Sequence, residues 1–414
     1  MSDARPVTFA STTRARLATL PWVVLAVATV TQMSLSLASQ GLGPLVPFLQ
    51  DDLRLSRAEV GLFISSIQAG IATSVMLGGW AVDSIGVRRM ILAGQLLMVG
   101  SLVALSQAQT LTHVLLVLAV AGLGTGVANP ATTLAIVHWF PPRGRGTAMG
   151  IKQTGVPLVG MIEAAALPAF ALAVGWRSVC LVLAALCFAS AIGCFASYRE
   201  HPSALAAGAQ GKGGWSNFKA IATDRNLLAV SLFAGSMIAV QFSVSIYLIL
   251  YLKDTLAIGL ILAGWVLAFS QLGGLIGRVG WGLVSDALYD GRRKPVLLWC
   301  GGLAAGLLVI LGMMPASAPS IVLAITVFLV GLTAVGWHGI RAALVPELVS
   351  SHNKGLAVGY SHSLAELGPI FGPPLFGLAA DLTGSYRLSW LILAVVVVLA
   401  TTGLAILLRE GKKL

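Results

Sequence analysis

Twelve apolar runs dominate this chain of 414 residues: 22–48, 58–82, 89–107, 112–138, 146–173, 176–198, 226–252, 259–285, 295–314, 319–345, 355–380 and 387–408. The hydrocarbon core of a bilayer is about 30 Å thick and needs roughly 20 residues of helix to cross it. These runs are apolar on every face, whereas a membrane β-strand alternates over segments of about 10 residues. The expectation is an all-α membrane protein with twelve transmembrane helices. Charged residues make up 10% of the chain, against roughly 25% in soluble proteins, so an ordinary soluble enzyme is excluded. The net charge of +11 therefore reports orientation rather than nucleic-acid binding, because Lys and Arg collect in cytoplasmic loops.

With both termini on one side, five of the 26 Lys and Arg fall in odd-numbered loops (Arg54, Arg57, Arg177, Lys253 and Arg387) and two, Lys152 and Arg278, fall inside spans; the other 19, Arg341 among them, fall in the termini and even-numbered loops. This bias places both termini in the cytoplasm, and short loops suit a bacterial inner membrane. Cys180, Cys187 and Cys194 recur every seven residues in one run and read as small apolar packing residues. Trp22, Trp139, Trp176 and Trp390 lie near run ends and read as interfacial anchors.

Residues 199–224 form the longest polar stretch, rich in Gly and Ala, and read as a cytoplasmic linker between six-span halves at 1–198 and 225–414. The halves carry an internal repeat. A shift of 209 sets Gln32, Ser34 and Ser36 on Gln241, Ser243 and Ser245, and Asn129 on His338. A shift of 203 sets Gln68 and Asp83 on Gln271 and Asp286. Two pseudo-symmetric six-helix halves are the mark of a secondary transporter with its site at their interface.

The loops after spans 2 and 8 share a pattern, Gly79-Trp-Ala-Val-Asp83-Ser-Ile-Gly86-Val-Arg88-Arg89 and Gly282-Leu-Val-Ser-Asp286-Ala-Leu-Tyr-Asp290-Gly291-Arg292-Arg293-Lys294. Here the chain resembles the major facilitator superfamily, whose cytoplasmic motif is G-x-x-x-D-[RK]-x-G-[RK]-[RK]. Ser84 and Val87 replace basic residues in the first copy, and the second copy is lengthened. The resemblance implies gating roles for Asp83, Gly86, Arg88, Asp286 and Arg292. An Asp at a helix end beside a basic cluster makes charge-assisted hydrogen bonds that can hold one facing and break in the other.

Lys152, Glu163, Arg278 and Glu366 lie well inside apolar runs, where ionisable groups mark function by default. Arg278 precedes Asp286 by eight residues, about 12 Å of helix, and Lys152 follows Gly146 by six at similar depth. In a major-facilitator arrangement spans 5 and 8 meet across the halves, so two cations there form a candidate anion site, Arg as a bidentate fork and Lys as a point charge. The stretch from Gly277 to Asp286 is similar to span 8 of the oxalate:formate exchanger and monocarboxylate transporters. That likeness implies a carboxylate contact for Arg278. Ala365 stands where that exchanger carries a Lys, leaving Lys152 as the second cation. Glu366 reads either as a proton carrier or as a fixed counter-ion to Arg278. His362, His338 and the outer Glu163 could also move protons, and Gln32, Gln241, Asn129 and His338 could line the cavity.

No Walker lysine, H-E-x-x-H or paired-cysteine metal signature is present, so no cofactor, metal or catalytic residue is assigned. The reading is a secondary active transporter of a small organic anion, such as a carboxylate, working by alternating access as a proton symporter or exchanger. It is expected to be monomeric, its partners being the anion, membrane lipid and a proton or counter-substrate. The alternatives are a drug or metabolite exporter of the same fold, which usually carries a span-4 Arg absent from 112–138, and a non-transporting receptor or scaffold.

Overall fold

The computed structural model describes residues 9–200, 218–349 and 354–409; most of the 199–224 linker and the side chain of Asp83 lie outside the described set. The described residues form fifteen helices. The first six spans are α1 (Phe9–Leu53), α2 (Arg57–Ile85), α3 (Val87–Leu105), α4 (Leu111–Trp139), α5 (Pro142–Val174) and α6 (Trp176–Ser197). A short α7 (Phe218–Ala222), which the linker reading did not foresee, precedes α8 (Arg225–Leu256), α9 (Leu260–Leu288) and α10 (Lys294–Gly312). Span 10 is α11 (Ser320–Ala334) with α12 (His338–Glu347), span 11 is α13 (Lys354–Ala365) with α14 (Leu367–Thr383), and α15 (Tyr386–Leu407) closes the chain. Eleven stretches are long and apolar enough to cross a membrane, the two helices of span 10 counted together. The twelfth crossing is the α13–α14 pair, which the interruption at Glu366 divides.

Both interruptions have local causes. Pro369 has no N–H for the carbonyl of Ala365, four residues back, and its ring crowds that carbonyl, so the helix breaks at Glu366. In span 10 the break over Val335, Gly336 and Trp337 frees carbonyls that hydrocarbon could not satisfy. Side chains take them instead. Trp281 Nε1 donates to the Leu332 carbonyl at 2.8 Å, Trp337 Nε1 donates to Ala334 at 2.9 Å, and His338 Nδ1 lies 3.2 Å from the Val335 carbonyl.

Glycines set the helix spacing where the site forms. A Cβ on Gly331 of α11 would lie 1.8 Å from the Ser270 carbonyl of α9, and one on Gly277 would lie 2.9 Å from the Cα of Gly336. Span 10 and α9 therefore cross backbone to backbone. Between the halves, α5 packs on α9, α2 on α14 and α1 on α8.

The end of the molecule away from the termini is tied across the halves. Asp381 of α14 accepts the first backbone N–H groups of α2, from Arg57 at 3.1 Å and Ala58 at 2.8 Å. The Arg57 guanidinium donates to the Ala380 carbonyl at 3.1 Å, lies 3.7 Å from Asp254 and stacks 4.5 Å from the Tyr386 ring centroid. The Tyr247 hydroxyl bridges the carbonyls of Arg57 and Pro373, and Lys253 pairs with Asp51 at 2.8 Å. At the terminus-bearing end the described polar contacts run within one half. Arg88 donates its N–H to Glu200 at 2.8 Å, Arg293 pairs with Asp286 at 2.7 Å, and Lys294 donates to the carbonyls of Ala405 and Leu408. Two of the four tryptophans read as anchors are buried: Trp176 reaches Asp52 at 3.3 Å, and Trp390 packs edge-on to Phe376 and Tyr251. Trp22 is exposed as expected.

Two outcomes follow from this packing. Gly331→Ala should cost about 1–3 kcal/mol through overpacking and lower the melting temperature in detergent, whereas Gly306→Ala, with nothing within 4 Å of its added Cβ, should leave it unchanged. Asp381→Ala removes a helix cap worth about 1 kcal/mol, so spin labels at Gln107 and Ser317 should show a larger long-distance population.

Candidate functional site

The close crossing of α9 with span 10 and the contact of α9 with α5 bring the intramembrane charges toward one another. Arg278 of α9 reaches across the halves, its Nη1 donating to the Gln153 carbonyl of α5 at 2.5 Å. Gln153 is the residue after Lys152. The Lys152 ammonium turns into its own half and donates to Asn129 Oδ1 at 2.9 Å and Thr133 Oγ1 at 3.2 Å, both on α4. Lys152 is 1% exposed. A cation at the centre of a membrane helix costs about 2.5–3.5 kcal/mol, and these two neutral acceptors offset part of that without cancelling the charge. Thus Arg278 meets the backbone beside Lys152, while the two head groups have separate partners.

Glu366 is not the counter-ion of Arg278. Its carboxylate accepts from Gln68 Nε2 of α2, across the halves, and from His362 Nδ1 one turn earlier at 3.1 Å. His362 is 59% exposed by its side chain and Glu366 17%, so the pair runs from an open position to a covered one. Ser65 Oγ also crosses from α2, to the Ile370 carbonyl at 2.5 Å. Two seams between the halves, span 5 with span 8 and span 2 with span 11, thus each hold a polar link.

His338 opens α12, its ring tilted on that of Trp337 at 4.6 Å between centroids. Arg278, Arg341 and His362 lie within electrostatic reach of it, and Glu366 lies within reach of Arg341. Arg341 is the residue that sequence reading missed. It was counted with the loops, but it lies in α12 one turn beyond His338, inside span 10, and its guanidinium is 5.7 Å from the Trp337 ring centroid. Three basic side chains, Lys152, Arg278 and Arg341, thus accompany one acidic side chain, Glu366, in this part of the fold.

The remaining candidates lie apart from this cluster. Glu163 is buried against Gly41 of α1, whose added Cβ would lie 3.1 Å from Oε1, and neither carboxylate oxygen has a hydrogen-bond partner among the described residues. Gln32 and Gln241 are buried in α1 and α8, each with Oε1 unpaired among the described residues. In the first loop motif Gly86, with φ of 90°, makes the turn from α2 to α3, and Arg88 donates from Nε to the Phe195 carbonyl at 2.7 Å. In the second the partner of Asp286 is Arg293; Arg292 offers its carbonyl to Ser285 Oγ at 2.9 Å while its side chain is exposed. The extra residues of the lengthened second copy displace the basic register by one.

The family model described as Major Facilitator Superfamily matches residues 28–288 and 241–413. The chain belongs to that family. Among its relatives is the hexuronate transporter of Bacillus subtilis (strain 168), 26% identical over 362 residues, covering 84% of this chain and 85% of that protein. Monocarboxylate transporter 13 of Rattus norvegicus is 24% identical over 339 residues, covering 81% and 75%. The crystal structure of a D-xylose–proton symporter superimposes with a TM-score of 0.79 at 17% identity, covering 95% of this chain and 99% of that one, and shows the same fold. The molecule is a multi-pass membrane transporter of two six-helix halves, and not an enzyme.

Proposed function

We propose that this transporter moves a small organic anion, a carboxylate in the first instance, and that proton movement or exchange drives it. The observation that carries the reading is the meeting of Arg278 with the backbone beside Lys152 across the two halves. An anion arriving there exchanges the Gln153 carbonyl, a neutral acceptor, for its own charged oxygens, and a charge-assisted bond to Arg is roughly twice as strong as a neutral one. The names of the relatives, hexuronate and monocarboxylate transporters, support the substrate class. Neutralised cations can then be enclosed as the halves rock.

With both termini in the cytoplasm, the cross-half contacts of Arg57, Asp381 and Tyr247 close the outer side, and the site is reached from the cytoplasm. Glu366 serves as the proton carrier, with His362 as its exposed relay and Gln68 as the contact that tells the opposite half its charge state. Glu163, behind the closed outer end, is the second proton candidate. The arginine pairs of the loop motifs hold the turns at the cytoplasmic ends.

Thermal-shift assays on detergent-purified protein should show stabilisation by small carboxylates, by about 2.7 kcal/mol at 100 times the dissociation constant. Arg278→Ala should abolish it and Lys152→Ala should weaken it. A protein stabilised only by lipophilic cations, or by carboxylates that ignore both substitutions, would overturn the anion site in favour of an exporter. In proteoliposomes Glu366→Gln, which still accepts a bond from Gln68, should lose accumulation driven by a pH gradient and keep exchange between equal concentrations. Full pH-driven accumulation in that variant would move the proton to Glu163.

A further inference from the structure

Arg341 has no part in the reading above, which rests on Arg278 and Lys152, and its placement calls for an explanation. A guanidinium inside a span is kept only where something compensates it. Arg341 faces the Trp337 ring at 5.7 Å and lies within electrostatic reach of Glu366. Its Nη1 is buried without a hydrogen-bond partner among the described residues, and so is Nε of Arg278. The glycine crossing brings the helices that carry them together. Gly277 of α9 lies against Gly336, and an added Cβ on Gly339 would lie 3.1 Å from the Arg278 carbonyl. Arg278 follows the first contact directly, and Arg341 follows the last by two residues.

From this geometry we infer that Arg341 is a second anion-binding residue, and that the substrate carries two acidic groups. One group is held by Arg278 with Lys152, and the other by Arg341 on span 10. The inference builds on the anion site and adds its charge count. Two guanidinium groups with buried, unpaired donors cannot be enclosed between the halves at low cost while uncompensated. A single carboxylate answers one of them, whereas a dianion answers both. Two guanidinium groups with buried, unused donors on adjacent helices offer a fork to each end of such a molecule.

The test compares dicarboxylates of three to six carbons with their own monoamides, which match them in size and differ by one charge. Affinities would be read by isothermal titration on the purified full chain. Wild type should bind the best dicarboxylate at least about tenfold more tightly than its monoamide, the scale of one hydrogen bond to a charged group. Arg341→Gln should bring the dicarboxylate down to the level of the monoamide and leave monoamide binding unchanged. Arg341→Lys should restore part of the difference. Equal binding of diacid and monoamide by wild type, which needs no variant to fold, would overturn the inference, as would a preference that survives Arg341→Gln. In both cases carboxylate binding lost in Arg278→Ala would leave the anion site standing. If no acid in the panel bound, the anion site would fall and this inference with it.

Discussion

In hydrocarbon a backbone amide has no partner but its own helix, and two of the spans that carry the site are interrupted part-way. In span 10 the freed carbonyls of Leu332, Ala334 and Val335 are taken by the ring nitrogens of Trp281, Trp337 and His338. The side chains that repair the break are thereby fixed in place, and His338 and Arg341 begin the next helix in a set orientation. In span 11 Pro369 withdraws one donor, and the carboxylate at the resulting break bonds to the opposite half. Irregular backbone is found where it is buried in protein, and it is found beside the charges.

The seams between the halves are related in position and opposed in chemistry. Span 8 sends a guanidinium to a backbone carbonyl of span 5, and span 2 sends an amide to a carboxylate of span 11. In the first the acceptor is a neutral carbonyl, and in the second it is a carboxylate. A duplicated fold has thus placed a guanidinium-to-carbonyl link in one seam and an amide-to-carboxylate link in the other, and in the repeat Ser361–His362 stand where the first half has Lys152–Gln153.

Much of this was legible before any coordinates. The apolar runs match the helices to within a few residues except in α1, which begins at Phe9 rather than 22, because a lipid-facing helix must be apolar throughout its length. Arg278 and Lys152 stood out for the same reason. Arg341 did not, because the apolar run ends within a turn of it, and nearness to a run end looks the same whether a side chain faces solvent or turns inward. Glu366 was visible, but its partner was not: Gln68 is 298 positions away, and a pairing between helices of different halves leaves no local pattern. Trp390 shows the converse limit, since a Trp near a span end reads as an anchor until packing buries it among Phe376 and Tyr251.

The imbalance of charge at the centre has an electrical consequence. Moving one elementary charge through 100 mV is worth about 2.3 kcal/mol. On the proposed reading, an empty carrier that turns around takes the uncompensated charge of Arg278 and Arg341 through part of the membrane field, and an interior-negative potential draws it inward. A bound dianion would answer that charge and leave the same rotation with little to move. The voltage would then act on the return of the empty molecule more than on the loaded one, and so bias which face of the carrier waits for cargo.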